Sequence, residues 1–121
     1  MNHTYEILAD AIGCEHIDGV HIAGFGNHEA GQYVMLQRHD DENEISIEFD
    51  DQINGQVGVI KAISLHGRKL EIDLSELLNG KNHFVIHLDC DDDEYVSIKS
   101  KLAEITRGSG SKDLQFECGP D

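Results

Sequence analysis

Basic residues are scarce. The 121-residue chain has nine Lys and Arg against 24 Asp and Glu, a net charge of −15 with His neutral. Nucleic-acid backbones and anionic membranes are held by clustered Lys and Arg, so direct binding to either is not expected. Apolar runs are short as well, and none approaches the ~20 residues of a membrane span. Met1 to Asp10 has neither the basic flank nor the apolar stretch of a secretory signal. The three cysteines, Cys14, Cys90 and Cys118, make an odd set without a CxxC pair. That pattern reads as reduced thiols in the cytosol, with Cys14 and Cys90 as small apolar residues on strands. There is no GxSxG, P-loop or HExxH, and no internal repeat. Paired carboxylates carry no information in a chain with 24 acids. The expectation is a protein that is not an enzyme, with no catalytic residues and no cofactor.

What is present is enough for a fold. Leu, Ile, Val and Phe total 33 residues, above the level of a disordered acidic chain. One domain of this length buries roughly two thirds of the surface its unfolded chain exposes. The charge is uneven: residues 1–60 hold 12 acids and one base, Arg38, whereas residues 61–121 hold 12 acids and eight bases. Solubility asks for a net charge of only about 2–8 in a small domain, and the surplus costs stability by self-repulsion. The excess favours a partner over plain solubility.

Hydrophobic periodicity predicts mostly strands up to residue 90. Tyr5–Ala11 and Val20–Phe25 are short runs, punctuated by Gly13 and Asp18-Gly19. In Gln32–Asp50, Tyr33, Met35, Ile45, Ile47 and Phe49 fall on one face at period two. The reading pairs Met35 with Ile47 and Tyr33 with Phe49, places Gln37 inward, and makes His39–Asn43 the loop. A second hairpin turns at His66-Gly67 and pairs Leu65 with Arg68, Ile63 with Leu70 and Val59 with Leu74. Its inner face also takes Val57, with Lys61 as an exception that must snorkel. Ser75–Leu78 reads as one helical turn closed by Asn79-Gly80, and His83–Asp89 as a strand. Tyr95, Ile98, Leu102 and Ile105 then recur at spacings of three and four, an amphipathic helix opened by an Asp91/Glu94 capping box and stopped by Gly108.

The expected class is α+β: a mostly antiparallel sheet of six or seven strands, without a βαβ unit, with one C-terminal helix packed on one face. Residues 1–107 form a single domain. Residues 108–121 are a flexible tail, or add an edge strand through Leu114, Phe116 and Cys118. The acids Asp40, Asp41, Glu42, Glu44, Glu48, Asp50 and Asp51 cluster around the first hairpin and its solvent face. They are the candidate partner-binding residues, facing a partner with a basic surface.

Eight histidines raise the question of metal. Cys14 and His16, two apart on a strand, could face one ion. His87 and Cys90, three apart, would face opposite sides. Neither has the repeated spacing of a structural zinc site, so ordinary surface or core histidines are expected and no metal site. Asp91–Glu94 lacks the alternating ligands and central Gly of an EF-hand and reads as helix capping.

The segments Tyr33–Arg38 and Ile45–Gln52, the two strands to Leu74, and the helix opening Asp91-Asp92-Asp93-Glu94-Tyr95 resemble the immunity protein 10 family of bacterial polymorphic-toxin systems. The resemblance spans residues 5 to 107. It implies a cytoplasmic antidote that binds and neutralises a cognate toxin domain, such as a nuclease with a basic cleft, and it brings no catalytic residues. Its recurring polar residues Gln37, Arg38 and Gln52 are read as structural rather than partner-contacting. Two other functions stay open: a metal- or small-molecule-binding regulatory domain using the histidines, and an acidic DNA mimic that inhibits a host protein. An exposed sheet edge could also pair two copies as a homodimer.

Overall fold

The computed structural model describes residues 3–107 and 115–118. The strands are β1 (Thr4–Ala9), β2 (Ala11–Ile17), β3 (Val20–Asn27), β4 (Gln32–His39), β5 (Ser46–Phe49), β6 (Asp51–Val57), β7 (Ile60–His66), β8 (Lys69–Leu78) and β9 (Lys81–Leu88). The helix α1 (Asp92–Arg107) and a last strand β10 (Gln115–Cys118) follow. The expected α+β class forms, with ten strands among the described residues rather than six or seven. They divide into two five-stranded sheets, β1-β9-β8-β7-β10 and β2-β3-β4-β5-β6. The second sheet is antiparallel throughout. The first is mixed, because β1 runs parallel to β9 and β10 parallel to β7. Both parallel pairs are long-range returns of the chain, invisible to a reading that assumed neighbours in sequence pair. Gly108–Leu114, with the expected helix stop and linker, lies outside the described residues.

Apolar residues at every second position face inward from both sheets. Tyr5 of β1 and Phe84 of β9 meet Phe49 of β5, with ring centroids 5.1–5.6 Å apart, and this aromatic cluster joins the sheets. α1 buries Tyr95, Ile98, Leu102 and Ile105 and lies against β2 and β3 of the second sheet. The capping box forms as expected: Asp91 Oδ1 accepts the Glu94 amide at 2.8 Å, and the Asp91 amide donates to Glu94 Oε1 at 3.4 Å. Asp91→Ala should lower stability by about 1 kcal/mol in urea unfolding, the usual cost of losing an N-cap.

Three hairpins close on two-residue turns with both φ positive, the type that suits the strand twist. They are Asp18-Gly19, Gly67-Arg68 and Asn79-Gly80. The second hairpin therefore turns one residue later than expected and pairs Leu65 with Leu70 and Ile63 with Ile72. This is a shift of two in register, so the same side chains remain inside. A bulge between Ile60 and Ala62 expels Lys61 and buries Val59 and Ile60 together, which removes the need to snorkel. Val57 belongs to β6 and is 48% exposed, not part of that inner face. Ser75–Leu78 continues β8 instead of forming a helical turn. Cys90 sits between β9 and α1 rather than on a strand.

The first hairpin shows a larger departure. Its pairs are Val34 with Phe49, Met35 with Glu48 and Leu36 with Ile47, one residue from the expected register. Val34 and Leu36 are fully buried, while Tyr33, Met35 and Gln37 turn to the outer face. Arg38 then points inward, where it has partners that Gln37 would lack.

Tyr5 supplies a pH-dependent element. Its hydroxyl donates to Asp50 across the sheets. Burial, then the Asp50 carboxylate, push its phenol far above the ordinary 10.0. A raised folded value stabilises fully below the unfolded value and is lost as pH rises through it. Wild type at about pH 11.5 should therefore lose about 2 kcal/mol more than Tyr5→Phe, relative to neutral pH, in urea unfolding.

Candidate functional site

The charge asymmetry of the sequence becomes a layer in the fold. Residues 11–57 form the whole second sheet and hold ten acids and one base, Arg38. Arg38 is only 7% exposed. Its Nε donates to the Ile105 carbonyl at 2.9 Å and Nη2 to the Glu104 carbonyl at 3.2 Å, while Nη1 donates to the His39 and Glu42 carbonyls. The guanidinium thus satisfies the last carbonyls of α1 and meets the negative end of its dipole. With Arg38 inside, the second sheet offers solvent no Lys or Arg of its own.

The seven candidate acids do not form one cluster. Asp40 folds back onto the histidines at the end of β2 and β3. Its Oδ2 lies 2.9 Å from His16 Nε2 and its Oδ1 2.9 Å from His21 Nε2. The His16 hydrogen bond is the main cause holding the Asp40 carboxyl below its usual range. Asp41 and Glu42 are exposed on the following loop beside His39. Glu44 leans over Gly58, where an added Cβ would come within 2.5 Å of its carboxylate. Glu48 accepts a hydrogen bond from the Tyr33 hydroxyl on the outer face. Asp50, at φ 62°, accepts from the Tyr5 hydroxyl and the Tyr33 amide, so it is committed to the fold rather than to the outer face. Asp51 is exposed on β6 and accepts from the Ile53 amide. Glu48 and Asp51 both act on Tyr33, Glu44 precedes β5 and sits at Gly58 beyond the other end of β6, and Asp40 is apart on the histidines.

The same region carries apolar surface that the sequence reading missed. β6 is an edge strand, with Ile53 85% and Val57 48% exposed. Along the outer face, one cross-strand row runs Gly13, Gly24, Met35, Glu48, Gly55. A Cβ on Gly13 would meet nothing, and one on Gly24 only a backbone oxygen at 3.8 Å. Local packing does not require glycine at these two places, and glycine there leaves Met35 standing above flat backbone. The signal for Ile53 and Val57 was present in the sequence, as apolar residues in the otherwise polar stretch Asp50–Gly58.

Most histidines act as local partners of carboxylates. His83 Nδ1 is 2.5 Å from Asp73, His87 Nε2 is 2.6 Å from Glu6, and His28 lies 3.4 Å from Asp10. Burial pushes the Cys14 and Cys90 thiols up, the opposite of an activated nucleophile. Gln37 is on the outer face with its amide 3.5 Å from Met35 Sδ. No helix among the described residues is long and apolar enough to cross a membrane. Comparison with protein-family models, curated proteins and solved structures gave no match.

Proposed function

We propose that this chain is an immunity protein, a non-catalytic cytoplasmic inhibitor that binds a cognate bacterial toxin domain through the acidic second sheet. The observation that supports this reading is the sheet built from residues 11–57, whose sole base is turned inward. A basic enzyme cleft, such as that of a nuclease, would be drawn to it. Ile53 and Val57, exposed on the edge strand β6, add apolar contact surface to an acidic sheet, the mixture a binding patch uses. The resemblance to immunity proteins supports the same reading.

The test is to mix the purified protein with the toxin domain encoded beside it. Stoichiometric inhibition and a complex at nanomolar concentrations are expected. Absence of both at micromolar concentrations would overturn the proposal. Within this reading, Ile53→Asp should weaken the complex at least tenfold, mainly through faster dissociation. Surface plasmon resonance separates the two rates.

A further inference from the structure

The geometry points to a binding site for a divalent transition metal of the zinc class, formed by His16, His21 and Asp40. The three ligand atoms lie within 4.8 Å of one another. Both Nε2 atoms face the same carboxylate and share its Oδ1, 2.9 Å from His21 and 3.1 Å from His16. The two imidazoles are stacked, with centroids 4.1 Å apart and planes inclined by 4°, so the half-exposed His16 ring must swing out of the stack for both in-plane lone pairs to meet one ion. Two imidazole nitrogens and a carboxylate oxygen make a donor set that suits zinc and its neighbours better than calcium or magnesium.

The backbone brings the three residues together before any ion arrives. His16 and His21 are directly opposite on β2 and β3, separated by the Ile17–Val20 pair and the two-residue turn Asp18-Gly19. Asp40 is tied to that turn, its amide donating to the Gly19 carbonyl at 2.8 Å. A tetrahedral ion at about 2.0–2.2 Å from each ligand wants ligand edges of about 3.4 Å. The edges from Asp40 Oδ1, 2.9 Å to His21 and 3.1 Å to His16, need to open by less than about half an ångström, which the exposed Asp40 and His16 side chains can provide as the His16 ring turns. Three protein ligands leave the fourth position open. A cleft of about 400 Å³ lined by His21, Arg38, Glu104 and Arg107 adjoins the site.

Groups behind the ligands bear on the affinity in both directions. Glu104 Oε2 lies 4.0 Å from His21 Nδ1 and can close in to accept the Nδ1–H once Nε2 holds metal, as carboxylates commonly do behind metal-bound histidines. Lys101 Nζ now lies 3.3 Å from the same Nδ1 and 3.4 Å from Glu104 Oε1, so it must turn wholly to Glu104. Lys101 and the nearby Arg38 repel a cation, which sets the expected affinity at micromolar rather than nanomolar. His39, Asp41 and Glu42 form a rival group, but all three are exposed and two sit on the loop, without a ladder to hold them.

Calorimetric titration of the full chain with zinc chloride tests the site. One ion per chain at micromolar Kd is expected. His16→Ala and Asp40→Asn should each weaken binding about tenfold or more, while His39→Ala leaves it unchanged. His16 is half exposed at its side chain, so its removal leaves the core intact, and circular dichroism confirms folding of each variant. With cobalt(II), visible d–d bands should develop without a thiolate charge-transfer band. Failure to saturate below millimolar zinc, binding indifferent to His16→Ala, loss on His39→Ala, or a thiolate band would each overturn the site.

Discussion

Arg38→Met should lower the stability of the isolated protein by about 3 kcal/mol, the largest effect expected of any single polar substitution here. The side chains are similar in length, so the change removes charge and donors while conserving much of the packing. Four backbone carbonyls lose their partner: Ile105 and Glu104 at the end of α1, and His39 and Glu42 beside the turn after β4. Hydrogen bonds from a charged donor contribute about 1.5–3 kcal/mol each, and buried carbonyls left unpaired cost more than exposed ones. Water reaching the part-exposed His39 and Glu42 carbonyls recovers some of the loss, which is why the estimate stays near the cost of two bonds. Urea unfolding of the two proteins measures the difference. Hydrogen exchange should further show the amides of Leu102–Arg107 opening ahead of the rest of the helix. A loss below about 1 kcal/mol would show that α1 ends stably without the guanidinium.

Triple reversal of Glu44, Glu48 and Asp51 to Lys should slow association with the toxin by about 10- to 100-fold at low salt, with the two proteins converging as salt rises. Glu48 lies on β5, Asp51 on β6 and Glu44 just before β5, at the edge of the sheet that exposes Ile53 and Val57, and no exposed Lys or Arg of the second sheet offsets them. The substitution changes the charge of this patch by six units. Steering depends on the summed field and is screened over about 10 Å at 0.1 M salt. The same reversal at Glu76, Asp89 and Glu117 is the control for net charge alone, because those exposed acids lie outside residues 11–57. Equal slowing by both triples would assign the effect to overall charge and not to β5 and β6. The Tyr33–Glu48 bond is lost in the variant, so its unfolding curve must accompany the kinetics.

The sequence made some of this legible. The helix was readable because Tyr95, Ile98, Leu102 and Ile105 recur at spacings of three and four as one apolar stripe, and all four are buried, although Val96 is apolar and exposed on another face. The faces of β7 and β8 were readable because Ile63, Leu65, Leu70, Ile72 and Leu74 keep strict alternation, even though the turn lay one residue away. β4 was misread for the opposite reason. Tyr33-Val34-Met35-Leu36 is apolar on both faces, so alternation does not choose between them. The choice falls to Arg38, whose partners are at the far end of α1, 66 and 67 residues away. The parallel pairing of β1 with β9 is equally non-local, and it is what divides ten strands into two sheets.

At the surface, composition located the acidic half but not the arrangement within it. Asp50 looked like its neighbours in sequence, yet a positive φ turns it toward Tyr5. Asp40 looked like the start of an acidic loop, yet it joins two histidines. The pairing of His16 with His21 could have been drawn from the sequence, because a two-residue Asp18-Gly19 turn sets them opposite each other. What no local pattern contained was the third group, brought from the end of β4 to the same turn.

On the proposed function, the acidic second sheet is the surface that meets the toxin. Hydrogen exchange of the isotopically labelled chain, free and mixed with the cognate toxin domain, tests it most directly. New protection is expected along β5 and β6, around Ile53 and Val57, with the amides of β8 and β9 unchanged. Protection confined to β8, β9 or α1 would contradict it, as would an unchanged exchange pattern at saturating toxin.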